Sequence, residues 1–361
     1  MKRRLMLALA LIVAVSMVFA ACGGGGGGKG KAKSDEKYDF VVNATLGEPV
    51  SPNWDRLFKE LQEESGGRIV TENNIYWSGS LIPIPEIPKG LGSGAAAFSN
   101  IPSNNYPDVL PLSTRILDLP FMGLQDPVDS AEIWMQLYDE FPEMQQEFTD
   151  LNIKVIAVTT LGMYGMHFAD KKEVRLPEDL RGRKMVPQSQ TFLQILEKYN
   201  ASGSYIPPGQ MYENLEKGVI EGYVNNWAFQ GWFGLTDLIQ QHVEFGDYGI
   251  FHEWNLLAVN LDFWNSLPAD LQKLIEDKFR YDGGYKAMWD DTWNLVLNEK
   301  EKAKAKGDLF VTLTDAEIQQ WKDVLLPTHE VDLAEVAAVK GDITYTIYER
   351  AKEIISDKYD K

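Results

Sequence analysis

The chain has 361 residues, of which 44% are hydrophobic and 11% aromatic, and its formal net charge is −18 at pH 7. This composition excludes a disordered chain and allows a sizeable buried core, and the length predicts about two domains. The acidic charge argues against nucleic-acid binding, because such binding depends on lysines and arginines that neutralise phosphates.

The N-terminal residues predict export. Basic residues at positions 2–4 precede an apolar run over residues 5–20 that is too short to span a membrane, and Cys22, the only cysteine, follows two alanines. We predict a signal peptide over residues 1–21 and a bacterial lipobox in which Cys22 is acylated. An ordinary signal peptide that is cleaved nearby is the alternative.

Residues 22–37 are predicted to form a lipid-anchored tether, because six consecutive glycines follow Cys22 and glycine-rich chain is flexible. The predicted location is therefore the periplasm or the outer face of the cytoplasmic membrane. Acylation of Cys22 would leave no thiol, so we expect neither a disulfide framework nor a cysteine-based metal site.

Strand and helix patterns alternate along the rest of the chain, which predicts an α/β fold. Residues 38–44 and 68–77 are predicted strands that flank a helix beginning near Ser51, and this order predicts parallel pairing. The glycine-rich residues 89–94 are predicted to form a turn, because their spacing does not match a dinucleotide-binding loop. A long helical pattern that ends near Lys306 is predicted to extend across both domains.

No catalytic or metal-binding motif is apparent. The four histidines, His167, His242, His252 and His329, form no H-x-x-x-H pair, and the chain has no G-x-S-x-G motif. Carboxylates are abundant, but no pair of them indicates a general acid and base. We therefore predict that the protein is not an enzyme and uses no cofactor or metal.

A group of amides and aromatic residues is the best candidate for a pocket. Asn225 and Asn226 precede Trp227 at the end of a predicted strand, where open α/β sheets bind ligands. We interpret Asn225 and Trp227 as pocket residues because buried amides need partners. Trp232 and Phe233 follow closely and are interpreted as core residues.

Several short motifs follow one another in an order that is typical of one family. They are SGGRI at 65–69, LPF at 119–121, PEDLRG at 177–182, VIEG at 219–222 and LP at 267–268. In this order and spacing the motifs resemble the solute-binding proteins of the tripartite ATP-independent periplasmic (TRAP) transporters, the DctP-like family. The resemblance covers nearly the whole exported chain.

The resemblance implies two α/β domains with a ligand cleft between them and a long helix that spans both, as in periplasmic binding proteins. It implies that domain closure traps a small molecule, which is then delivered to TRAP membrane permease subunits. Applied to this chain, it places domain I at residues 38–164 and 251–290 and domain II at residues 165–250 and 291–361. A monomer without a nucleic-acid partner is expected.

By the same resemblance, Asn43, residues 98–100, Tyr212 and Asn225 fall on positions that line the family's cleft. Together with the candidates above, the predicted ligand-binding residues are Asn43, Trp77, Phe98, Ser99, Asn100, Tyr164, His167, Lys184, Val186, Tyr212, Asn225, Asn226, Trp227 and Trp254.

One departure from the family changes the expected ligand. The family's K-I-R strand motif corresponds to residues 184–186, where Val186 takes the place of the arginine that grips a carboxylate through two hydrogen bonds. A second family arginine is replaced at about His167. The ligand is then expected to be neutral, cationic or aromatic and held by amides, His167 and tryptophans, or to be an acid held by His167 or Lys184.

The residues leave three other functions open. An ABC-type substrate-binding lipoprotein would share the compartment and the cleft, but the order of the motifs argues against it. An exported ligand-sensing domain is not separated from a transport protein by sequence. An exported enzyme is disfavoured by the missing catalytic motifs.

Overall fold

The computed structural model describes residues 36–187, 189–246 and 249–359, with backbone alone at positions 190 and 191. The predicted signal peptide, Cys22 and nearly all of the predicted tether lie outside the described residues. Every helix and strand described belongs to a single compact unit that begins at Lys37.

The fold is built from short strands and helices that alternate along the chain, as the sequence predicts. The strands are β1 (Tyr38–Asp39), β2 (Val42–Asn43), β3 (Ile69–Val70), β4 (Ile75–Tyr76), β5 (Phe98–Pro102), β6 (Ile153–Phe168), β7 (Lys184–Val186), β8 (Ser202–Gly203), β9 (Gly222–Asn226), β10 (Gln241–Glu244), β11 (His252–Asn260) and β12 (Leu309–Thr312). The helices are α1 (Pro52–Glu64), α2 (Ile87–Gly92), α3 (Pro111–Arg115), α4 (Pro127–Glu140), α5 (Pro142–Thr149), α6 (Gln190–Lys198), α7 (Met211–Glu216), α8 (Trp227–Phe233), α9 (Leu261–Ser266), α10 (Ala269–Glu276), α11 (Gly284–Lys306), α12 (Asp315–Leu325), α13 (Thr328–Lys340) and α14 (Ile343–Tyr359).

Most strands join one mixed sheet with the order β4-β2-β5-β11-β6-β9-β7-β8, and β10 adds to β6 and to β12. The first strands pair in parallel, β1 with β3 and β2 with both β4 and β5. This confirms the parallel pairing predicted from the strand-helix-strand order. Helix α1 covers these strands because Trp54, Leu57, Phe58 and Leu61 form one buried stripe.

The long strand β6 connects two halves of the sheet. Its first part, from Ile153 to Met163, pairs antiparallel with β11, whereas Tyr164–Phe168 pair with β9. Gly162, near the end of the first part, has a φ of 105°, a conformation that glycine adopts without strain. The two parts belong to two α/β domains, which lie within the one compact unit.

Helix α11 contacts both domains. It packs on α1 and α4 in the first domain and on α8 in the second, and it is 23 residues long. This confirms the prediction of a long helix across both domains. Gly283, with a φ of 78°, is the N-cap residue of α11 and marks its start.

Two predictions about the fold are corrected. Residues 291–361 are predicted to belong to domain II, but α13 and α14 within this range bury Leu333, Val336 and Ile347 in the core formed by α3, α4 and the first part of β6. Local patterns do not reveal which core a terminal helix joins. The other domain boundaries remain a prediction.

The glycine-rich residues 89–94 fall mainly in helix α2 rather than in a turn. A Cβ on Gly92 would lie 2.1 Å from the carbonyl oxygen of Leu151, and one on Gly90 would lie 2.7 Å from the Ile82 side chain. These glycines therefore allow a close approach of the helix to its neighbours.

Candidate functional site

A cleft of about 470 Å³ opens where the two halves of the sheet meet. Thr45, just after β2, and Pro102, at the end of β5, line it from the first domain. Val186, at the end of β7, and Asn225, near the end of β9, line it from the second. The cleft thus lies at the carboxyl ends of parallel strands, where α/β folds bind small molecules, and its volume suits such a ligand.

A buried carboxyl group forms part of the cleft lining. Glu253, on β11, lines the cleft although only 4% of the residue is exposed. The Tyr164 hydroxyl donates a hydrogen bond to Glu253 Oε2, and Asn104 Nδ2 lies 3.4 Å from that hydroxyl oxygen. Burial raises the pKa of Glu253 to about 8, against the smaller opposing effect of the Tyr164 hydrogen bond. The carboxyl group is therefore largely protonated near neutral pH.

Aromatic side chains form one wall of the cleft. We use the name aromatic wall for Tyr223 of β9 and for Phe229, Trp232 and Phe233 of α8, which all line the cleft. The Phe229 ring lies 4.7 Å from the Phe233 ring and 5.7 Å from the Tyr223 ring, measured between centroids. Tyr205 joins the lining from a loop and is 74% exposed.

No lysine, arginine or histidine occurs among the described residues that line the cleft. Lys184 is exposed to solvent and does not line it. The neighbouring Arg183 is buried, forms an ion pair with Asp170 and places its guanidinium 4.8 Å from the Phe168 ring centroid. The structure thus places Lys184 outside the described lining of the cleft, and its role in holding an acid stays a prediction.

Of the fourteen predicted ligand-binding residues, Val186 and Asn225 line the cleft. Asn43, Ser99 and Asn100 lie behind it, where Asn43 Nδ2 donates to Ser99 Oγ over 3.1 Å. The amide oxygen of Asn100 accepts from the backbone N–H of Thr45 over 2.8 Å. These buried amides hold the strand end that carries Thr45 and do not themselves face the cleft.

Other predicted residues fill the cores or the surface. Phe98 is buried against Phe58, 5.3 Å away between centroids, and Trp254 is buried in the core under α4. Trp77 packs partly buried against the core under α1, and Tyr212 is 41% exposed on α7. The structure therefore places these four side chains outside the described lining of the cleft, contrary to their predicted placement.

His167 belongs to a buried polar network behind the cleft. Its Nδ1 lies 2.9 Å from Nδ1 of His242, whose Nε2 lies 3.2 Å from Asp308 Oδ2. Its Nε2 lies 3.1 Å from the backbone oxygen of Asn225. Burial lowers the pKa of His167 well below its usual value and that of His242 to about 3. A neutral, enclosed imidazole does not serve as the predicted carboxylate clamp.

Trp227 and Asn226 lie beside this network and line a separate cavity of about 170 Å³. The Trp227 ring stacks on His242 at 4.2 Å between centroids, and its Nε1 donates to Glu244 over 3.1 Å. The side chain of Asn226 caps α8 by accepting from the N–H of Phe229. The structure thus places Trp227 at this smaller cavity and not in the described lining of the cleft.

The residues that sequence reasoning missed are those of α8 and β11. Trp232 and Phe233 were interpreted as core residues, yet both line the cleft. A helical period shows that they share a face but not what that face contacts. Glu253 carried a signal, because an acidic residue in the apolar run of β11 needs a specific partner.

The sequence matches the profile of a known protein family over most of its length. A profile of the bacterial extracellular solute-binding proteins, family 7 (DctP), matches residues 40–335. The chain belongs to this family. As a DctP-family protein it is an extracellular solute-binding protein of the TRAP type, a class whose members bind small molecules and work with TRAP permeases.

Two relatives with assigned ligands resemble the chain at modest identity. The ectoine-binding periplasmic protein TeaA of Halomonas elongata is 25% identical over 294 residues, which cover 79% of this chain and 81% of TeaA. The C4-dicarboxylate-binding periplasmic protein DctP of Rhodobacter capsulatus is 30% identical over 184 residues, 46% of this chain and 50% of that protein. The chain thus spans only half of the second relative.

Solved structures of TRAP solute-binding proteins share the fold. The protein from Rhodoferax ferrireducens, solved with co-purified benzoate, gives a TM-score of 0.76 at 19% identity and covers 89% of this chain and 98% of its own. The protein from Chromohalobacter salexigens, solved with d-glucuronate, gives a TM-score of 0.74 at 18% identity. The match covers 88% of this chain and 100% of that protein's chain. These likenesses confirm the α/β fold predicted from the sequence.

Two further observations concern the described ranges alone. Each helix there is too short or too polar to cross a membrane. The same ranges contain no group of three or more His, Cys, Asp or Glu side chains that could hold a metal ion.

Proposed function

We propose that this DctP-family protein is a lipid-anchored receptor that traps a small solute between its two domains and delivers it to a TRAP permease. The family match supports the receptor role. The predicted lipobox at Cys22 supports the anchor, and the cleft at the strand ends supports capture by closure.

The solute is not held in the way that a simple carboxylate is usually held in this family. The observation that carries this conclusion is the described lining of the cleft, which contains Val186 and no cationic side chain. A carboxylate that entered would lose its hydration and meet no guanidinium. The lining instead offers amides, aromatic faces and the carboxyl group of Glu253.

Relatives do not decide the ligand. TeaA is named for ectoine and the Rhodobacter protein for C4-dicarboxylates, while solved structures hold benzoate or d-glucuronate. Because the family binds chemically different solutes on one fold, the side chains of each cleft determine the choice.

A binding screen tests the proposal. Thermal unfolding of the exported domain would be followed with acids, polyols, amines and aromatic compounds, and mass spectrometry would identify any solute that co-purifies. We expect the largest rise in melting temperature outside the simple dicarboxylates, since binding to the folded state stabilises it. A strong shift with succinate or malate would contradict the proposed ligand class. A protein that binds and co-purifies with no solute of any kind would contradict the receptor role itself.

A further inference from the structure

Glu253 is the one acidic side chain among the described residues that line the cleft. Among the described residues, no cation contributes to the environment of its carboxyl group, which is shaped by burial and by the Tyr164 hydrogen bond. A carboxyl group that is enclosed in this way is costly to ionise, and a protein retains such a group at the surface of a ligand cleft most readily when a ligand supplies the missing partner.

The groups near Glu253 bring no positive charge to its carboxyl group. Asp118, which follows α3, is close enough that the Glu253 carboxylate raises the pKa of Asp118 further above its usual value, after the larger effect of burial. Tyr164 of β6 donates a hydrogen bond to Glu253. His252, its neighbour on β11, is buried, and burial lowers the pKa of His252 to about 4, so it is neutral. Helix α8 and strand β9 contribute no charged residue.

The aromatic wall supplies the second half of a recognition site. Ring faces attract cations through their quadrupole, most strongly where water is excluded. Tyr223, Phe229, Trp232 and Phe233 stand in the same cleft as the Glu253 carboxyl group. Acidic and aromatic groups together favour a positively charged organic group, and the cleft volume of about 470 Å³ admits a small molecule.

We infer that the solute is a small organic cation, a protonated or quaternary amine, whose charge rests against Glu253 and whose apolar part contacts the aromatic wall. This inference rests on the proposed function, in which the cleft binds the transported solute. It deepens that function by naming Glu253 as the residue that determines specificity.

The pH dependence of binding separates this inference from its main competitor. A cation binds the ionised carboxylate, so its binding releases the proton that Glu253 carries below a pKa of about 8. The affinity for a quaternary amine then rises roughly 50-fold from pH 6 to pH 8, because the ionised fraction rises by that factor. A neutral solute that accepts a hydrogen bond from the protonated carboxyl group would lose affinity over the same range.

The probes are chosen as charged and uncharged pairs. Titration calorimetry at pH 6 and pH 8 would compare tetramethylammonium, choline and benzyltrimethylammonium with 3,3-dimethylbutanol, which has the shape of choline without its charge. We expect at least one cation to bind and to bind more tightly at pH 8, with 3,3-dimethylbutanol at least tenfold weaker than choline if choline binds. The mass of the co-purified solute identifies its class independently.

Two variants locate the effect. Glu253→Gln keeps the shape of the side chain and removes its charge, so the affinity for the cation should fall at least tenfold and the pH dependence should vanish. Glu213→Gln removes an exposed carboxylate on α7, outside the cleft lining, and should change neither. Unchanged cation binding in Glu253→Gln would overturn the inference.

The outcomes also distinguish this inference from the proposed function. If a neutral or acidic solute co-purifies and binds while none of the cations binds, the organic-cation inference fails and the receptor role stands. If a cation binds with the expected pH dependence, both stand. If no solute of any class binds or co-purifies, both fail.

Discussion

Val186 lines the cleft at the end of β7, at the position where the family resemblance predicts an arginine. Val186→Arg would place a guanidinium in the cleft, and the Glu253→Gln background would remove the acidic group that competes for it. We expect this double variant to gain affinity for benzoate or succinate by tenfold or more, since a guanidinium fork binds a carboxylate through two hydrogen bonds. Calorimetry measures the gain.

Lys184→Arg in the same background is the matched control, because residue 184 is exposed and lies outside the lining. This control variant should gain no affinity for benzoate or succinate. Equal gains at both positions would show that net charge, not the position of residue 186, determines acid binding.

Glu253 also links function to stability. Burial raises its pKa to about 8 in the folded chain, above the unfolded value near 4.5, so its contribution to stability falls as pH rises from 4.5 to 8. In the absence of solute, Glu253→Gln should therefore raise the free energy of unfolding at pH 7.5 by roughly 4 kcal/mol. Urea unfolding at pH 7.5 and pH 5 measures this, and the difference should shrink toward zero at pH 5. A variant that is less stable than the native chain at pH 7.5 would contradict the prediction.

At the scale of elements, β6 and β10 carry a second pH-dependent feature of opposite sign. His167 and His242 are buried with pKa values below the unfolded value of 6.5, about 3 for His242. Their contribution to stability is complete above pH 6.5 and is lost as pH falls, because the unfolded chain then binds protons that the folded chain does not. For His242 this loss should be roughly 2 kcal/mol of stability between pH 6.5 and pH 5.

His242→Gln tests this contribution. The variant keeps a polar side chain of similar size toward His167 and Asp308, and its free energy of unfolding should decrease less steeply between pH 6.5 and pH 5. Urea unfolding at several pH values compares the two chains. Parallel pH profiles would show that His242 is already protonated in the folded chain.

The same elements show what can be predicted from sequence and what cannot. Helix α1 and the start of α11 were predictable because their apolar period and glycine stops are local signals. The aromatic wall was not predictable, because the sequence pattern of an apolar stripe on α8 is the same whether the stripe faces a core or a cleft. The position of α13 and α14 depends on contacts with residues some 200 positions earlier, such as the Arg115–Asp332 ion pair.

At the scale of the whole molecule, the two domains are joined by elements that both contact, namely β6 and α11. Gly162 lies in β6 just before the part that pairs with β9, and Tyr205, 74% exposed, lines the cleft on the side of the second domain. If a solute bridges Glu253 and the aromatic wall, closure brings Tyr205 over it and removes its ring from water, which favours the closed state. We therefore expect the radius of gyration to decrease on solute binding, as measured by small-angle X-ray scattering on solute-free and solute-saturated protein.

Tryptophan fluorescence provides the matched measurement, because Trp232 lines the cleft while Trp54, Trp134 and Trp321 are fully buried in cores. Solute binding should shift the emission of the native chain, and Trp232→Phe should abolish most of that shift while the radius of gyration still decreases. This variant keeps an aromatic face in the wall, so loss of the fluorescence signal alone assigns it to the cleft. Saturable binding by calorimetry without any decrease in the radius of gyration would contradict capture by domain closure, and the permease would then have to recognise the solute-bound protein by local changes at the cleft rim.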